Sequence, residues 1–124
     1  MKIKAAVRTL REEGVALGLN GKIAPVGFSR GSGMALMLVT TEGVAELDGF
    51  GSHTNISSAV QGAVVMSGRF TYLDLQPDDK MLPRYAKVWG ERETNLDLWR
   101  QHGALDYLTK PTLPLFLTIN CTEG

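Results

Sequence analysis

A chain of 124 residues is one domain's worth of sequence, long enough to bury roughly two thirds of the surface that its unfolded form exposes. Apolar residues make up 44% of it and charged residues 21%, which excludes a disordered or fibrous protein. Lys and Arg number 13 against 13 Asp and Glu, so no net field gathers nucleic acid or an anionic membrane surface, and neither is expected as a partner.

The first residues, Met1 to Arg8, carry charges throughout and no apolar stretch long enough for a signal peptide or a membrane span. The lone cysteine, Cys121, cannot form an internal disulfide and leans toward a reducing compartment. A soluble, cytoplasmic protein is the expectation. Ile3, Val7, Leu10, Gly14 and Leu17 recur at three- and four-residue steps, which predicts an amphipathic helix over residues 2–19. Asn20 and Gly21, both tolerant of the left-handed conformation, are expected to end it. Residues 22–28 are apolar without alternation, as in a strand covered on both faces of a parallel sheet, although Pro25 lacks a backbone donor and calls for a local irregularity.

A short glycine-rich turn, Ser29 to Gly33, then leads into a buried helix through Met34 to Val39. Residues 42–59, rich in Gly, Ser, Thr and Asn, read as a surface excursion. The run from Gln61 to Ser67 predicts a second strand. Helices are expected near 81–89 and 94–102, and a third strand from Leu113 to Asn120 between flanking prolines. Strands separated by helical crossovers indicate an α/β fold of about three parallel strands with flanking helices. The first strand has one neighbour available, so an open sheet edge and self-association through it are expected.

Gly27-Phe28-Ser29-Arg30-Gly31 fits the Gly-x-Ser-x-Gly nucleophile elbow, in which a sharp turn after a strand lifts a serine hydroxyl to the carboxyl edge of the sheet. Side chains at Gly27 or Gly31 would collide in so tight a turn, and the serine sits at a strained dihedral. The following helix points its N-terminus at the site, and the Arg30 N–H is placed to donate to an oxyanion. Two other readings of the same residues stand beside this one. Ser29 could simply cap the helix, or the Gly-x-x-x-Gly-x-Gly spacing could form the dinucleotide loop of short-chain dehydrogenases. Against that loop, a full helix precedes the strand, no acidic residue closes a second strand, and Tyr107 and Lys110 lie one position too close for a Tyr-x-x-x-Lys pair.

With these segments the chain resembles the α/β-hydrolase esterase and lipase group, in particular its small acyl-esterase and carbohydrate-esterase-like branch. The likeness extends past the elbow, through Val7 to Glu12 with Leu17 to Ile23, Val60 to Gly68, and Ala104 to Leu108 with Pro114 to Asn120. It implies that residues 1–124 form a single partial α/β-hydrolase-like domain. Further strands and a His-Gly-Gly oxyanion loop would precede Met1, and a catalytic histidine would follow the acid. By the family order the acid falls after the third strand, where Glu123 stands, with Asp74 as a second candidate.

His53 and His102 lie upstream of that position and read as surface or structural residues. Without a base a serine hydroxyl is a poor nucleophile at neutral pH, so the isolated chain is expected to be nearly inert. The implied substrate is a small ester. No His, Cys or carboxylate cluster has metal-ligand spacing, and no cofactor is implied. Tyr85, Trp89, Trp99 and Tyr107 are expected to pack as a lid or core, Asp78 to Lys80 as a solvated turn, and Glu91 to Glu93 as a solvated helix start.

Overall fold

A computed structural model describes residues 1–108 and 114–118. Helix α1 spans Lys2–Glu13 and tightens into a 3-10 turn, Gly14–Leu17. The chain reverses at Gly18, ahead of the expected Asn20 and Gly21. Gly18 takes the left-handed φ of 77°, its N–H bonds Val15 O at 3.0 Å, and Leu19 N–H bonds Gly14 O at 3.0 Å. The buried face of α1 is Lys4, Val7 and Arg8, while Leu10 and Leu17 of the apolar stripe are exposed.

Strand β1 is short, Val26–Phe28, because regular pairing starts only after Pro25. It is followed by α2 (Arg30–Thr40), the four-residue α3 (Ala45–Asp48), β2 (Ala63–Met66), α4 (Leu82–Trp89), α5 (Leu96–Gln101), a 3-10 turn (Ala104–Tyr107) and β3 (Leu115–Thr118). The three strands are parallel in the order β1-β2-β3, with Val26 opposite Val64 and Val64 opposite Phe116. This is the expected α/β arrangement, with β1 at an edge. Helix α2 packs across β1 and β2, over the face that carries Gly27, Ala63 and Val65, and α1 packs on α2 and α3.

The other face of β1 departs from expectation. Val26 and Phe28 are 68% and 66% exposed, and Phe116, which shares their face, is 61% exposed. Among the described residues that face has no cover, so the strand is packed on one side where its unbroken apolar run predicted two.

The excursion at 42–59 is anchored rather than free. Lys4 Nζ donates to Thr41 O at 2.6 Å and to Asp48 Oδ2 at 3.2 Å. Arg8 reaches Asp48 O at 2.9 Å, Asp48 Oδ1 at 3.1 Å and Ser52 O at 3.1 Å, and also bonds Phe50 O. Ser58 Oγ completes the set with a 2.6 Å bond to Asp48 Oδ1. Burial alone would lift the Asp48 carboxyl, but the hydrogen bonds from Ser58 and Lys4 and the charges of Lys4 and Arg8 hold it below the usual carboxylate range. No buried side-chain polar atom among the described residues lacks a partner. No helix among them is long and apolar enough to cross a membrane.

Candidate active site

The parallel strands bring their carboxyl ends to one edge, the place where open α/β sheets present their ligand-binding loops. Ser29 leaves β1 there with φ 53° and ψ −118°, a region sparsely populated by any residue but glycine. Its N–H still extends the ladder, donating to Met66 O at 2.9 Å, and its carbonyl accepts from Ser32 N–H at 3.1 Å. The abrupt turn between these two bonds leaves Ser29 exposed at the tip.

The turn is tight because Gly27 lies against the first turn of α2. A Cβ on Gly27 would fall on the carbonyl oxygen of Gly31 and within 2.7 Å of Ser32 Cα, both backbone atoms that cannot swing away. Gly31 is different. A Cβ there would meet nothing within 4 Å, so the expected collision at the second elbow glycine does not occur. The close approach on that side belongs instead to Gly68, whose Cβ would strike the Ser32 side chain and come within 2.9 Å of Ser29 O.

Ser32 is the residue that sequence reasoning passed over. Fully buried, its Oγ lies 3.0 Å from Gly27 O and against Met66 O, and accepts from Met66 N–H at 3.1 Å. It ties both strands to the helix directly beneath the turn. The signal for it was a second serine three residues after Ser29, in the first turn of an apolar helix, where burial demands a partner for its hydroxyl.

The helix-capping role fails for Ser29, because no side-chain capping bond is made at the N-terminus of α2. Among the described residues the Ser29 hydroxyl has no hydrogen-bond partner, and neither does the N–H of Arg30. Ser67, at the carboxyl end of β2, mirrors Ser29 with φ 53° and lines the same hollow.

That hollow, about 270 Å³, is bounded by Ser29, Arg30, Ser67, Arg69, Tyr72, Met81 and Tyr85. A cleft of about 430 Å³ shares Arg30, Tyr72, Met81 and Tyr85 with it and continues past Arg84 and Val88 to Trp89. One groove therefore runs from Ser29 to Trp89. Its aromatic wall is built by α4. Tyr85 and Trp89 stack at 5.1 Å with a 6° interplanar angle, and the Tyr72 ring stands edge-on to each at 4.9 Å. Burial, reinforced by Tyr85, pushes the Tyr72 phenol above its ordinary range against the pull of Arg30 and Arg69. Trp99, fully buried, stands edge-on behind Trp89 at 5.2 Å and donates its indole N–H to Gly90 O at 3.0 Å. Tyr107 joins the main core instead of this wall.

No histidine lines the hollow around Ser29. His53 Nε2 lies 3.5 Å from Glu13 Oε1, and His102 stacks on Trp89 at 4.3 Å with Nδ1 2.7 Å from Leu98 O. Asp74 is exposed and paired with Arg69 at 2.8 Å. Glu123 and Cys121, like Leu113, Ile119 and Asn120 at the flanks of the third strand, lie outside the described residues. In the two stretches read as solvated, Asp78, Lys80, Glu91 and Glu93 are exposed as expected, while Asp79 and Arg92 are half-buried and have partners. Asp79 Oδ1 accepts from Met81 N–H at 2.7 Å at the start of α4, and Arg92 donates to Leu75 O at 2.6 Å.

Neither a protein-family model nor a curated relative matches the chain. Solved structures do. A truncated form of a carbohydrate esterase from gut microbiota superposes with a TM-score of 0.77 at 17% identity, over 94% of this chain and 47% of that one. A thermophilic esterase from the Planctomycetes species Thermogutta terrifontis matches in its native form with a TM-score of 0.65 at 20% identity, over 92% of this chain and 39% of that one. The butyrate-bound form of the same esterase gives the same score and identity, with 40% of its chain covered. The chain thus spans less than half the length of each. At these identities the likeness is one of fold alone, a three-stranded parallel α/β sheet with flanking helices that matches part of each esterase.

Proposed function

We propose that this chain carries the nucleophile segment of a serine carboxylic-ester hydrolase and that Ser29 is the acylated residue. The observation that carries the reading is the backbone of Ser29, held at φ 53° between a parallel strand and a helix with its hydroxyl and the following N–H both unpartnered among the described residues. Strain of this kind costs about 1–3 kcal/mol and persists where the surroundings impose it, here through Gly27, Ser32 and Gly68. Esterase neighbours and an adjoining groove agree with it.

In this reading a base takes the Ser29 proton, and the oxygen attacks an ester carbonyl. The Arg30 N–H donates to the oxyanion, and water then cleaves the acyl-enzyme. Glu123 is the proposed acid of the triad. Asp74 is already engaged by Arg69 and is the weaker choice. No base among the described residues reaches Ser29, so acyl transfer requires a histidine from outside them.

A fusion of this chain with the segments that complete the fold in the gut-microbiota esterase should cleave p-nitrophenyl butyrate, and Ser29→Ala should abolish that cleavage. A well-folded, active fusion indifferent to Ser29→Ala removes Ser29 as nucleophile. The chain by itself should resist a serine-directed fluorophosphonate. An adduct mapped to Ser29 would show that a base reaches it after all. The edge of β1, unpaired among the described residues and with Val26 and Phe28 exposed beside it, favours self-association as a second property, and a sedimentation series showing a monomer at every concentration would end that reading.

A further inference from the structure

Resting on the reading of Ser29 as the acylated residue, we propose that the groove beside it recognises a ring bearing a carboxylate, gripped by Arg30 and Arg84 and packed on Tyr72, Tyr85 and Trp89. Arg8, Arg69, Arg92 and Arg100 are each in an ion pair, and Arg11 donates to the carbonyls of Gly21, Ser57 and Ala59. Among the described residues the guanidinium groups of Arg30 and Arg84 have neither a carboxylate nor a carbonyl partner. They come from opposite parts of the chain, the start of α2 and the first turn of α4, and they line one cleft.

Nearby carboxylates are already committed. Asp74 and Asp79 flank Arg69 at 2.8 and 3.6 Å, which leaves the positive charge of the groove to Arg30 and Arg84. An anion in the cleft that both line would find two guanidinium groups without an acceptor, and a planar guanidinium fork suits a carboxylate. The remaining lining selects what the carboxylate is attached to. Stacked Tyr85 and Trp89, with Tyr72 edge-on, form a wall fixed from behind by Trp99 and His102, suited to a flat arene or the apolar face of a sugar. Tyr72 reinforces the preference. Its phenol, neutral at pH 7 as any tyrosine is, offers a donor to an anion in the cleft it lines.

The test reads binding rather than turnover, using the Ser29→Ala chain so that no covalent step intervenes. Phenylacetate and phenylacetamide form one pair of probes, galacturonate and galactose the other, followed by tryptophan fluorescence and calorimetry. At least one acid should bind roughly tenfold or more tightly than its neutral counterpart, the magnitude expected of charged hydrogen bonds. The responding pair identifies the ring as arene or sugar. Arg84→Gln should remove the preference, and Arg84→Lys, which keeps the charge without the fork, should restore part of it. Arg84 is exposed, so both variants should fold, and their circular dichroism checks this. Equal binding of acid and neutral probe, no binding of either acid, or an unchanged preference in Arg84→Gln overturns the proposal. An active fusion that hydrolyses neutral esters through Ser29 without any acid preference would leave the nucleophile reading standing and remove this one.

Discussion

Lys4 and Arg8 on α1 are almost completely buried, with Asp48 and the carbonyls of the 42–59 segment around them, whereas Arg30 and Arg84 lie exposed beside a groove with no such partners among the described residues. The first pair is part of the framework. Each of its charged groups was removed from water and given acceptors by the chain itself, so its role ends with holding a loop to a helix. The second pair remains hydrated and uncommitted, with its charge available to something that arrives from outside. What separates a structural cation from a binding one here is where its acceptors come from, not the residue type.

The comparison breaks most visibly at Arg8. Replacing it with Met should cost about 3–5 kcal/mol of folding stability in urea denaturation, because the carbonyls of Asp48, Phe50 and Ser52 lose their Arg8 donor at once and the Asp48 carboxylate loses one of its three. A loss below about 1 kcal/mol would mean that the clamp is cosmetic. Asp48→Asn should cost less, about 1.5–3 kcal/mol, since the amide can still accept one bond from Ser58 or Lys4. It should also change the response to acid. The Asp48 carboxyl is depressed in the folded chain, so its contribution is fully present above the unfolded value of about 3.9 and is lost as pH falls through the folded value. Stability of the native chain should therefore drop on acidification below about pH 4, and Asp48→Asn should flatten that part of the profile. Identical acid limbs for the two proteins would place the sensitive carboxylate elsewhere.

The same contrast explains what could be read from the sequence. Residues 26–39 were legible because every cue is local: an apolar run, two glycines around a serine, then an apolar helix. Helices α4 and α5 lie within the stretches expected to be helical, 81–89 and 94–102. The burial of Lys4 and Arg8 was not legible, since the partner that makes it affordable, Asp48, lies 44 and 40 positions away. The requirement at Gly68 and the role of Ser32 were hidden for the same reason, because both arise where β2 meets the first turn of α2. Pattern also misled at β1, where continuous hydrophobicity predicted two covered faces and one lies open among the described residues. The groove was half visible. Tyr85 and Trp89 stood out and Tyr72 did not, and only the fold brings Arg30 and Arg84 to a common rim.

The smallest expected effect is the one that sharpens the comparison most. Arg84→Gln should leave the unfolding free energy within about 0.5 kcal/mol of the parent, as for an exposed side chain away from caps and networks. Arg30→Gln should do the same, provided that its backbone stays at the elbow, since the substitution removes a guanidinium without an acceptor and keeps the N–H. Urea midpoints with unchanged slopes would be the measurement. A loss above about 1 kcal/mol in Arg84→Gln would place that residue with Arg8, as a cation whose partners lie within the fold, and the groove would then have a single free guanidinium. Stability left intact, with the acid preference gone, would instead show that the chain keeps this charge at the rim at no benefit to its own folding, which is what a residue kept for a ligand is expected to look like.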